Sequence, residues 1–198
     1  MRHIFKSAFA GTLVSACLMT TPDCDGQPAN HLSEAFKGIA GIRVERNGAL
    51  EANDPATQCV DVSLVHPDRN VGFVCRTSNK AFVADMGISS YGDPAPGSRP
   101  GRRPASGLVL GTPMAQYAME RFHAGKMEFA AADVDCDTGS RPLYRATATC
   151  RVIVSPLDRP VLIYGSFVLG VHTDARRGIT HAQVREIWRH VAQHPATQ

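Results

Sequence analysis

Alternation of apolar and polar residues predicts β-strands in the first half of the chain. Residues 59–64 and 71–75 each have this period of two, with a turn at residues 66–70 between them. The period is typical of strands that have one solvated face. The apolar segment 81–84 is predicted to continue this antiparallel meander. Asn47-Gly48, between two alternating segments, predicts a further β-hairpin, because both residues tolerate positive φ.

Three segments have features of helices. Asn30 is a suitable N-cap for a short helix, and Thr112 followed by Pro113 is a favoured start for a second. Thr180 is predicted to cap the last helix, in which Gln183 completes a capping box. The buried faces would be supplied by Leu32, Phe36 and Ile39 in the first helix, by Met114, Ala118, Met119 and Phe122 in the second, and by Val184, Ile187, Trp188 and Val191 in the third.

Three further strands are predicted over residues 127–134, 144–154 and 161–171. The last is apolar at nearly every position, as in a strand covered on both faces. The predicted fold class is therefore α+β: an antiparallel β-meander sheet with amphipathic helices packed on it. Cys75-Arg76 and Cys150-Arg151 end two similar hairpins, which would fit an internal α-β-β-β duplication.

Four of the six cysteines bracket predicted hairpins. Cys59 and Cys75 fall opposite each other, and Cys136 and Cys150 flank the second hairpin. Their spacing differs from the close pairs of zinc sites, so two local disulfides are predicted and no metal site. Each loop would contribute about 3 kcal/mol in the chain-entropy model. Cysteine use of this kind indicates an oxidising compartment.

The N-terminus has the pattern of an export signal. A basic start precedes a short apolar segment that ends in Val14-Ser15-Ala16-Cys17. This motif resembles the lipobox of bacterial lipoproteins, and the resemblance implies that Cys17 is acylated, for example with palmitate, and becomes the new N-terminus. An ordinary secretory signal cut after Ala16 is the alternative reading. In that case a Cys17–Cys24 disulfide would make the cysteine count even.

The predicted organisation is a signal peptide over residues 1–16, a tether over 17–29 and a single α+β domain over 30–198. Residues 91–107, rich in Pro, Gly, Ser and Arg, are predicted to be a mobile loop in that domain. Cleavage would take Arg2 and Lys6 out of the 21 basic residues and leave a near-balance with the 18 acidic ones. Nucleic acid is therefore not an expected partner.

The candidate binding residues are Arg99, Arg102 and Arg103, a basic cluster that could contact anionic headgroups or an acidic partner surface. His172, Asp174 and His181 could approach one another as a catalytic group. The segment 133–139 alternates acids as a calcium loop does, but it lacks the glycine and the last acid of an EF-hand. A polar turn is the preferred interpretation of that segment, and His190 and His194 are interpreted as a solvated helix end.

No coherent catalytic motif and no cofactor motif is found, so the sequence favours a protein that is not an enzyme. The leading hypothesis is an envelope binding module, held by a lipid anchor, that recognises a protein partner. An inhibitor or immunity protein of a secreted hydrolase would be one form of it. The alternatives are a carrier of a lipid or other apolar ligand, lined by Met114, Met119 and Phe122, and an envelope hydrolase.

Overall fold

The computed structural model describes residues 31–51, 54–92, 100–111, 116–137, 147–171 and 178–194. The helices of these residues are α1 (His31–Glu34), α2 (Gly48–Glu51), α3 (Lys80–Asp85) and α4 (His181–Gln193). The strands are β1 (Ile42–Arg46), β2 (Thr57–Leu64), β3 (Arg69–Thr77), β4 (Ile88–Ser90), β5 (Leu108–Gly111), β6 (Gln116–Ala118), β7 (Glu120–Ala124), β8 (Met127–Asp137), β9 (Thr147–Val154) and β10 (Leu162–Val171).

The described strands form two antiparallel sheets. The larger has the order β1-β2-β3-β10-β9-β8-β7, and the smaller has the order β4-β5-β6. Strands β1, β2 and β3 form one meander, and strands β7, β8, β9 and β10 form a second. Pairing of β3 with β10 joins the two meanders. This arrangement confirms the predicted α+β class with a mostly antiparallel sheet.

One face of the large sheet is covered by α1 and α4. Trp188, Ile187 and Val184 of α4 are buried against this face, as is Phe36 after α1. Thr180 accepts a hydrogen bond from the backbone N–H of Gln183 (3.2 Å), and the Gln183 side chain accepts one from the Thr180 N–H (3.0 Å). The predicted capping box and apolar stripe of the last helix are therefore confirmed.

The opposite face of the large sheet is covered by the small sheet and α3. Ile88, Leu110 and Val83 pack there against residues of β8, β9 and β10. The cluster on this face is separate from the one beneath α1 and α4. The described residues thus form three layers, with the seven-stranded sheet in the middle.

Both predicted disulfides are present. Cys59 is directly opposite Cys75 in the β2–β3 ladder and is bonded to it. Cys136 is bonded to Cys150, whose partner in the β8–β9 ladder is Val134. The two bonds therefore join neighbouring strands of the same sheet, and they indicate an oxidising, extracytoplasmic compartment.

Two local predictions in the first half are wrong. Residues 81–84 belong to helix α3, because the side chain of Asn79 accepts a hydrogen bond from the Ala81 N–H (3.0 Å) and caps the helix. Asn47-Gly48 does not form a hairpin turn. Instead the Asn47 side chain accepts a hydrogen bond from the Leu50 N–H (3.0 Å) and begins the short helix α2.

The prediction of a helix beginning at Thr112 is also wrong for those residues of the segment that the structure describes. Residues 116–118 and 120–124 form strands β6 and β7, while Thr112, Pro113 and Met114 lie outside the described residues. The proposed duplication needs a helix before the second hairpin and a strand at 81–84. Both requirements conflict with the structure, so the two halves do not repeat an α-β-β-β unit.

Candidate functional site

The described part of the arginine-rich segment is attached to the large sheet by hydrogen bonds. Arg102 and Arg103 are exposed, whereas Pro104 is buried. The carbonyl oxygen of Ala105 accepts a hydrogen bond from Nε of Arg121 on β7 (3.1 Å). Arg102 and Arg103 therefore extend from a segment that contacts the edge of the sheet. Arg99 lies outside the described residues, and the predicted mobility of loop 91–107 stays a prediction.

Ser106 links this segment to the strand that follows it. Its hydroxyl donates to the carbonyl oxygen of Met119 (2.5 Å) and accepts from the Leu108 N–H (3.1 Å). The Gly107 carbonyl in turn accepts a hydrogen bond from the Tyr91 N–H (2.8 Å). These bonds connect residues 106 and 107 to Met119, directly before β7, and to Tyr91, directly after β4.

A cleft of about 380 Å³ opens beside Arg103. Four stretches of the chain meet there: the end of β4, the segment before β5, the start of β8 and the turn between β9 and β10. The residues lining the cleft are Ser90, Tyr91, Arg103, Ser106, Gly107, Leu108, Glu128, Phe129, Ala130, Pro156, Leu157 and Asp158. Its volume lies near the lower end of the range typical of ligand pockets.

The charges around the cleft differ in how they are neutralised. Glu128 faces two basic side chains, Arg121 at 3.4 Å and His123 at 3.5 Å. Arg103 and Asp158 line the same cleft, and neither forms a salt bridge within the part of the chain that the structure describes. The cleft therefore presents one cation and one carboxylate that the described neighbours do not neutralise.

A second group of charges lies on the α4 side of the sheet. Arg151 donates from Nη1 to Asp133 (2.8 Å), its guanidinium lies 5.4 Å from the ring centre of Phe122, and His181 Nε2 is 3.5 Å from Asp133. Asp133 is on β8, which continues to Asp137, so the polar turn predicted at 133–139 is wrong for residues 133–137. The group attaches the start of α4 to the sheet.

The residues of the other hypotheses are only partly described. His172 and Asp174 of the catalytic group lie outside the described residues, and His181 contacts Asp133.

Met119 and Phe122, predicted to line one apolar cavity, are buried in separate clusters on opposite faces of the large sheet. Met119 lies between β6 of the small sheet and β7 of the large sheet, whereas Phe122 is in β7.

The predicted lipidation site and the tether cannot be compared with the structure, because Cys17, Cys24 and the rest of residues 17–29 lie outside the described residues. Among the residues that are described, no three histidine, cysteine or acidic side chains cluster as metal ligands would. His190 contacts Glu186 (3.2 Å), one turn before it on α4. None of the helices in the described ranges combines the length and hydropathy needed to span a bilayer.

Comparison of the chain with protein-family models, with curated proteins and with solved structures gave no match. The interpretation of the cleft therefore depends on the chemistry of the residues that line it. Sequence reasoning identified Arg103 but missed Tyr91, Glu128 and Asp158. The prolines at 156 and 160 do signal a turn between β9 and β10. That local signal says nothing about which segment the turn faces.

Proposed function

We propose that this protein is an exported, lipid-anchored envelope protein whose domain binds a protein partner. The partner surface that we propose consists of Arg102, Arg103 and the adjoining cleft, and we call it the arginine face. An inhibitor or immunity protein of a secreted hydrolase is the concrete form that we favour. In this proposal the protein acts by binding and catalyses no reaction.

One observation carries this proposal: exposed arginines lie directly beside a cleft that contains an aromatic ring. Arg103 and Tyr91 both line the cleft, and Arg102, the residue before Arg103, is exposed. Arginine and tyrosine are enriched among the residues that contribute most to protein–protein binding, particularly around small pockets. Attachment of residues 104–107 to β7 also limits the conformational entropy that binding would cost.

The proposed location has separate support. The Val14–Cys17 motif resembles a lipobox, and acylation of Cys17 would tether the domain to a bacterial membrane. The two disulfides fit an oxidising compartment.

A comparative pull-down tests the proposed partner surface. The exported protein is purified from cells together with what it binds, as wild type and as Arg102→Glu, Arg103→Glu and Arg185→Glu variants. Arg185 is exposed on α4, on the opposite side of the large sheet, and serves as a charge-matched control. We expect a stoichiometric protein with the wild type and with Arg185→Glu, and at least about tenfold less with Arg103→Glu. A partner retained equally by all variants would refute the assignment of the surface.

A further inference from the structure

We infer that the cleft beside Arg103 binds a short peptide segment that carries both an acidic and a basic side chain. The acidic group would pair with Arg103 and the basic group with Asp158. This inference rests on the proposed function, because the segment would be supplied by the protein partner. The inference specifies the chemistry of the segment of that partner that would enter the cleft.

The charge pattern of the cleft is the first argument. Glu128 already faces Arg121 and His123, so an additional cation is not needed there. Arg103 and Asp158, by contrast, have no oppositely charged neighbour within salt-bridge distance in the described residues. A ligand with a single charge would complement one of them and leave the other unmatched. A segment with both charges complements the two together, and this pattern supplies specificity against partners that carry only one.

The apolar lining is the second argument. Leu157 and Pro156 lie on the same turn as Asp158, and Tyr91 lines the cleft as well. The cleft thus offers apolar contacts as well as the two charged groups. A volume of about 380 Å³ accommodates a few side chains and excludes a folded element. An extended segment with an apolar residue between two charged ones has the required size and chemistry.

The hydrogen-bonding state of the polar lining is the third argument. Ser106 already donates to Met119 and accepts from Leu108, so its hydroxyl hydrogen is committed within the protein. The Tyr91 hydroxyl donates to the Pro100 carbonyl (3.4 Å). Among the described residues, the Arg103 guanidinium and the Asp158 carboxylate are therefore the charged groups of the cleft that have no described ion-pair partner. Charge-assisted hydrogen bonds to these two groups would orient the bound segment.

A peptide titration followed by ¹H–¹⁵N NMR tests this inference on the exported protein in mild detergent. The probes are the capped tripeptides acetyl-Glu-Leu-Lys-amide and acetyl-Lys-Leu-Glu-amide, and the neutral control is acetyl-Gln-Leu-Gln-amide. We expect one of the charged peptides to shift the amide signals of Tyr91, Arg103 and Asp158. Its affinity should exceed that of the neutral peptide at least about tenfold.

Variants separate a specific pairing from general charge effects. Arg103→Glu and Asp158→Lys should each weaken binding at least about tenfold, and the double variant should prefer the peptide of reversed order. Arg185→Glu is the matched control, because Arg185 is exposed on α4 and does not line the cleft. Equal binding of charged and neutral peptides, or no shift in the cleft, would overturn the inference. An equal loss with Arg185→Glu would also overturn it.

The two proposals can fail separately. If the pull-down recovers a partner that depends on Arg103 but the peptides cause no shift, the arginine face stands and the dipolar segment is wrong. If the peptides bind as expected but no protein is recovered, the cleft has the inferred chemistry. In that case free peptides are its ligands and the proposed protein partner is wrong.

Discussion

Gly165 on β10 lies directly against the indole ring of Trp188 on α4. A Cβ atom at Gly165 would lie 2.6 Å from Cζ3 and 2.9 Å from Cη2 of that ring. Trp188 is completely buried and meets the rings of Phe129 and Phe167 edge to face. The absence of a side chain at Gly165 therefore allows α4 to pack closely on the centre of the large sheet.

Replacement of this glycine should destabilise the protein. Gly165→Ala would force the indole or the helix to move, and overpacking of this kind typically costs about 1–3 kcal/mol. The free energy of unfolding in urea measures the loss. Gly101→Ala is the control, since a Cβ at Gly101 has no atom within 4 Å. Equal stability of the two variants would contradict the packing described for α4.

The contacts of the Glu51 carboxylate lead to a prediction of how the free energy of unfolding depends on pH. Its carboxylate accepts hydrogen bonds from Nε and Nη2 of Arg46 (2.9 and 2.7 Å) and from the Cys59 N–H (3.1 Å). Burial acts to raise the pKa of Glu51, but these hydrogen bonds and the charge of Arg46 outweigh it, so the pKa lies below the ordinary 4.5. Because the folded-state pKa is the lower one, this stabilisation is present above pH 4.5 and is lost as the pH falls through the folded value.

Glu51→Gln should therefore reduce the dependence of stability on pH in the acid range. We expect the variant to be less stable than the wild type at neutral pH and to lose less stability as the pH is lowered below 4.5. Urea unfolding at a series of pH values measures both effects. Glu45→Gln, on the exposed side of β1, is the control and should keep the wild-type slope. A wild-type slope in Glu51→Gln would show that the hydrogen-bonded Glu51 carboxylate does not contribute to the pH dependence.

The two disulfides should differ in how fast they are reduced. Cys59 and Cys75 are both completely buried, whereas Cys136 is partly exposed. Thiol–disulfide exchange needs access to a sulfur atom. Under native conditions with dithiothreitol, we expect alkylation at Cys136 and Cys150 well before Cys59 and Cys75. Mass spectrometry of time-resolved alkylation measures the order, and simultaneous reduction of both bonds would contradict it.

Local signals predicted much of the fold. Thr180 and Gln183 define the start of α4 by themselves, and the alternation around residues 66–70 defines the β2–β3 hairpin and with it the register of Cys59 and Cys75. In each case the residues that determine the structure are close in sequence. Strand β10 was also predictable, because its almost continuous apolar character reflects burial between two layers.

The wrong predictions come from segments where local and tertiary signals differ. Residues 81–84 are too few to show either period, and the cap at Asn79 decides in favour of a helix. Met119 and Phe122 are three residues apart, as on a helix face, but they belong to clusters on opposite sides of the sheet. That spacing arises where the chain passes from the small sheet to the large one.

The cleft could not be predicted because it depends on contacts between distant segments. Arg103 was a candidate from composition alone, and nothing near it in sequence indicates Asp158 or Tyr91. These residues meet because β8 and β9 are neighbours, and because Ser106 attaches the arginine-rich segment beside β7. Sheet topology therefore decides which charges share the cleft.

Site-specific photocrosslinking in intact cells tests the arginine face most directly. A photoreactive phenylalanine at Tyr91, which lines the cleft, is compared with the same group at Arg185 on α4. The proposed function predicts one protein adduct from position 91, its yield reduced at least about tenfold by Arg103→Glu, and no such adduct from position 185. The same adducts from both positions, or none from position 91, would contradict the proposal.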